Sequence, residues 1–118
     1  MTTADQESHA HPVEAARVEA ARSGALDRER AHAVSEIFRL LGDPVRTRLL
    51  SALLAGGELC VGDLALAIET PETTVSYALR HLRTGGLVQN RRAGRMVFYR
   101  LSDELPARML ALATSTVE

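Results

Sequence analysis

Residues 73–88, "TTVSYALRHLRTGGLV", carry the reading that decides the fold. On a helical wheel at about 100° per residue, Val75, Ala78, Leu79 and Leu82 fall on one arc and must face a core. Thr73, Tyr77, Arg80 and Thr84 point the opposite way, with Thr74, Ser76 and His81 on the flanks, and Gly85-Gly86 ends the helix. Beyond Glu72 at its start, the outward face holds no acid and many hydrogen-bond donors. Such groups reach phosphates and base edges in a major groove. A merely solvated helix surface can have the same composition, so the flanking segments must decide.

On the carboxyl side, two short runs, Leu87–Arg91 and Met96–Leu101, flank Arg92-Ala93-Gly94 and predict a β-hairpin. This places Arg91, Arg92 and Arg95 at its tip, where a wing can follow a backbone or enter a minor groove. All 14 basic residues are arginines, and residues 80–100 hold six of them without one acid. A net charge of −1 names no partner, but that local asymmetry points to a polyanion. A hairpin kept soluble by charge is the weaker reading, because no counter-acid lies nearby in sequence.

On the amino side, residues 61–68 predict a short helix with Val61, Leu64, Ala65 and Ile68 inward. A tight turn follows, and Thr70 is placed to cap the reading helix. Before them, Asp43-Pro44 supply a cap and first-turn proline for a helix that runs to Gly56-Gly57. A helix over about 27–41 and a weak alanine-rich one over about 12–26 precede it. Ser102 or Asp103 caps a last helix over about 103–114. The polar residues 1–11 are expected to lack fixed structure until something ties them down. The expected fold is therefore mainly α with a small β-hairpin, a winged helix-turn-helix that is dimeric by the resemblance below. Residues 1–27 form a flexible arm and weak helix, and residues 28–118 the DNA-binding domain with a carboxyl-terminal dimerisation helix.

The composition agrees. The 118 residues suit one domain. With 46% apolar but only 3% aromatic residues, the core must be mostly aliphatic. No apolar run nears the roughly 20 residues needed to span a bilayer, and no signal peptide is apparent. With a single cysteine, this points to the cytoplasm. An enzyme is disfavoured: Cys60, the one nucleophile candidate, has no histidine near it in sequence.

Taken together, "FRLLGDPVRTRLLSALL" (38–54), "ELCVGDLALAI" (58–68), "TTVSYALRHLRTGGLV" and "RRAGRMVFYRLSD" (91–103) resemble the ArsR/SmtB family of bacterial metal-responsive repressors, most closely its zinc-sensing SmtB branch. The resemblance covers about residues 36–103. It implies a homodimer joined by its first and last helices, bound to a palindromic double-stranded operator and released when metal binds. Thr73, Thr74, Ser76, Tyr77 and Arg80 match the family's DNA-contacting segment, with Tyr77 where a histidine is usual.

The resemblance also implies a choice of metal sites. The one on the last helix needs an Asp-x-His pair, a later histidine and a final acid. Here Asp103 is followed by Leu105 and Thr116, so that site looks absent. The other joins the Cys and Asp of "ELCVGDL", here Cys60 and Asp63, to donors from the partner's amino-terminal arm, where His9 and His11 stand in for cysteines. Read as helical neighbours at i and i+3, Cys60 lies on a flank with Asp63 outward. One thiolate among nitrogen and oxygen donors suits zinc, or cobalt or nickel, better than cadmium or lead. Against this stands Cys60 as a small packed hydrophobe. The rival function is a repressor of the same fold that senses oxidation or a small effector through Cys60, or does not sense metal. His32 and His81 are assigned to packing or DNA contact.

Overall fold

The computed structural model describes residues 12–117. The chain divides into two compact units, one ending at Ala33 and one beginning at Val34. The first holds α1 (Pro12–Gly24) and the start of α2 (Arg28–Leu41). In α1 an exposed Arg22–Glu19 pair at 2.7 Å bridges one turn. The Asp27 carboxylate accepts from the Arg30 N–H at 2.8 Å and caps α2.

The second unit continues through α3 (Pro44–Gly56), β1 (Leu59–Cys60), α4 (Val61–Ala67), α5 (Glu72–Thr84), β2 (Val88–Ala93), β3 (Met96–Leu101) and α6 (Glu104–Val117). As the sequence predicts, Asp43 caps α3 by accepting from the Arg46 N–H at 3.1 Å, with Pro44 in its first turn. The Thr47 hydroxyl reinforces this junction through the carbonyls of Leu41 and Asp43. Leu49, Leu50 and Leu53 of α3, Leu64 of α4 with Ile68 just after it, and Val75, Leu79 and Leu82 of α5 close one aliphatic core. Each such leucine taken from water contributes about 1.5–3 kcal/mol. This core holds α5 against α3 and α4 with its other face outward.

Three expectations are corrected. Thr70 does not cap α5. Its hydroxyl donates to the Ile68 carbonyl at 3.0 Å, and the capping position falls to Pro71, which has no side-chain acceptor. The hairpin ladder also runs further than the sequence suggests: Arg91 pairs with Phe98, Arg92 with Val97 and Ala93 with Met96. The turn is thus Gly94-Arg95, with Gly94 at φ +64°, a left-handed conformation that favours glycine. Of the three wing arginines only Arg95 is at the tip. Finally, the residues before α4 are not helical. Leu59 and Cys60 form a third strand whose partners are Tyr99 and Phe98, giving an antiparallel sheet of order β1-β3-β2.

Candidate DNA face and metal site

The reading helix is built as its period dictates. Val75, Ala78, Leu79 and Leu82 are the buried residues of α5. Thr73, Thr74, Tyr77, Arg80 and Thr84 are exposed, while Ser76 and His81 are half-buried. Tyr77 is 58% exposed. Its ring meets that of His81, one turn on, edge to face at 4.5 Å and 69°. Tyr77, Arg80, His81 and Thr84 surround a shallow depression on this face. Arg80 has no ion-pair partner among the described residues.

The wing is different. Arg92 and Arg95 are exposed and likewise without an ion pair among the described residues. Arg91 is engaged. Its Nε donates to Glu58 Oε2 at 2.9 Å and its Nη2 to Glu58 Oε1 at 2.8 Å. The guanidinium also lies 4.8 Å above the centre of the Phe98 ring. So the wing does have a counter-acid, brought in by β1 from 33 residues upstream. The hydrogen bond from Arg91 holds the Glu58 carboxyl below its usual range, and Glu58 raises Arg91 in turn. Sequence reading missed Glu58, whose partner becomes apparent only once β1 is known to be a strand.

Cys60 is the last residue of β1 and the residue that precedes α4, so it is not on a helix flank. It is 5% exposed, more deeply placed than the helix flank that the sequence suggests. Asp63, in the first turn of α4, is exposed. Both line an open groove of about 650 Å³ whose other walls include Glu72 and Ser76 of α5 and Arg95 and Met96 of the wing. Cys60 and Asp63 therefore share one recess with α5 and the wing.

The donor set for a metal is half complete here. Cys60 and Asp63 are two donors, whereas a tetrahedral shell needs four. Among the described residues no group of three or more His, Cys, Asp or Glu is placed to hold an ion. His9 and His11 lie outside the described residues. Asp103 is occupied otherwise: its Oδ1 accepts from the Leu105 N–H at 2.9 Å at the start of α6.

Among the described residues, no helix is long and apolar enough to cross a membrane. Residues 43–90 match the model of a family described as bacterial regulatory protein, arsR family. A transcriptional repressor SmtB homolog from Synechocystis sp. is 51% identical over 75 residues, which cover 64% of this chain and 56% of that protein. A cadmium resistance transcriptional regulatory protein CadC homolog from Staphylococcus aureus is 34% identical over 96 residues, covering 81% of this chain and 74% of that one. The homodimeric winged helix-turn-helix DNA-binding domain (fragment 1–100) Mb0332 from Mycobacterium bovis superposes with a TM-score of 0.69. It is 35% identical, covering 80% of this chain and 88% of that one. These relatives are named as transcriptional regulators, which accords with the sequence reading against an enzyme. With this fold and these relatives, the chain belongs to the arsR family of bacterial regulatory proteins.

Proposed function

We propose that this protein is a metal-sensing transcriptional repressor of the cytoplasm. As a homodimer it binds a palindromic operator, with α5 in the major groove and the wing on the flanking backbone, and metal releases it. Exposed apolar residues on α2 and α6, among them Phe38 and Leu112, support pairing through those helices. The homodimeric state of the Mycobacterium bovis relative supports it as well. Cys60 and Asp63, with His9 and His11 from the partner's arm, would hold a divalent ion. Zinc is favoured; cobalt and nickel are accommodated, and cadmium and lead suit the donors less. Bound there, the ion supplies a crosslink between the arm and the groove.

One observation carries the reading: Cys60 and Asp63 open on the same groove as Ser76 of α5 and Arg95 of the wing. Drawing an arm onto the first pair changes the surroundings of the second. By linkage, zinc that weakens DNA binding must bind the DNA-bound form more weakly by the same factor. The rival reading, oxidation sensing, uses the same thiol without a partner's arm, and release from DNA by peroxide in the absence of zinc would support it.

The test starts from an operator selected out of a random duplex pool with the metal-free protein. Its affinity is then measured with and without zinc for wild type, Cys60→Ala and Cys60→Ser. Zinc is expected to release wild type from DNA, with protons liberated on binding, and to leave both variants bound. Cys60→Ala is the cleaner variant, because serine would put a hydroxyl in a buried site. Release of both variants at the wild-type zinc concentration would make Cys60 a packed thiol only.

A further inference from the structure

Cys60, Phe98 and Arg91 form one row across the sheet, since Phe98 of β3 pairs with Cys60 on one side and Arg91 on the other. β1 and β2 are not neighbours in the sheet. The Arg91–Glu58 contact bridges them: Glu58 leads into β1, Arg91 belongs to β2, and the guanidinium crosses the Phe98 ring on the way. A single exposed ion pair contributes little by itself. This one is bidentate and stacked, which fixes geometry as well as charge.

We propose that Arg91 is a positioning residue. It clamps the wing to the strand that carries Cys60 and leaves phosphate contact to Arg92 and Arg95. The inference rests on the DNA-binding reading above. Two of the five N–H donors of Arg91 are committed to Glu58, and a phosphate approaching the others would stand beside the Glu58 carboxylate. Arg92 and Arg95 face neither obstacle. The clamp also lies in the row that contains Cys60, so a displacement of that strand is passed to the wing through Phe98 and Arg91.

The sign of the effect of Glu58→Gln decides between the roles, and a mixed-sequence duplex of fixed length serves as probe. Were Arg91 a phosphate contact, removing its acidic competitor would tighten binding. If it is a clamp, Glu58→Gln loosens the wing and weakens binding, by roughly two- to fivefold for a surface pair of this kind. Arg91→Ala is expected to weaken binding by a similar factor, and the double variant no more than either single one, because both break the same bridge. Glu58→Gln keeps side-chain size, so it remains informative even if Arg91→Ala folds poorly. Tighter or unchanged binding by Glu58→Gln, or additive losses in the double variant, would overturn the clamp. Arg92→Ala and Arg95→Ala serve as controls. If neither lowers the salt dependence of binding, the wing's role in DNA contact is wrong instead.

Discussion

The reading helix and the wing both carry arginine to the surface, but they hold it by different means. Arg80 is aimed by its backbone: four buried residues of α5 fix the helix, and the outward face follows from 3.6 residues per turn. Arg91 is aimed by two other side chains, Glu58 just before β1 and Phe98 on β3. The first arrangement fails only if the core fails. The second can be altered by one substitution or by a shift of β1, which makes the wing the more adjustable of the two surfaces.

The largest expected effect tests the helix from beneath. Leu79 is fully buried on the inner side of the helix that carries Tyr77 and Arg80, and Leu79→Ala should cost about 2–5 kcal/mol of unfolding free energy. Urea denaturation measures this, and a loss below about 1 kcal/mol would mean that α5 is not seated by that core.

Next come the side chains above it. Tyr77→Ala and Arg80→Ala should each lower discrimination between the selected operator and scrambled DNA, by about 1–3 kcal/mol for every base edge that the variant no longer reads. Unchanged preference in competition binding would remove α5 from the major groove.

A smaller effect belongs to the wing. Arg92→Ala should weaken binding to all sequences alike and lower the slope of log affinity against log salt by about one. A sequence-selective loss would give the wing a part in base readout.

The smallest concerns the clamp and pH. Glu58 has its folded pKa held below the unfolded value by Arg91. Its contribution is therefore present above the ordinary carboxylate range and lost as pH falls through the depressed folded value. A titration of the β2 amide signals by NMR should show a step in that acidic window, and Glu58→Gln should abolish it. Persistence of the step would assign it to another carboxyl.

The same contrast explains what could be read in advance. The inward arc of α5 and the Asp43-Pro44 start of α3 are local patterns, complete within one or two turns of chain, and sequence shows them directly. β1 is two residues long and exists only because Tyr99 and Phe98, 38 or more residues on, pair with it. No period marks so short a strand, so Cys60 reads as the flank of the helix that carries Asp63, and Glu58 as unremarkable. The turn of the hairpin is displaced for a related reason: Arg92 and Ala93 have turn-like neighbours, yet the ladder extends through both. Of the candidate metal site, sequence identifies Cys60 and Asp63 but not that they open onto the groove beside Ser76 and Arg95. That proximity joins three elements far apart in the chain.

Helix α2 buries none of its residues and α6 only Pro106 and Leu110, while Phe38 is 61% and Leu112 73% exposed. If two copies join those surfaces as proposed, association is linked to folding. The thermal midpoint then depends on how much protein is present, rising with each increase in concentration by mass action. Under the proposed pairing, dilution alone would lower the protein's stability, so its abundance would help set how much of it is folded and how much DNA it can occupy.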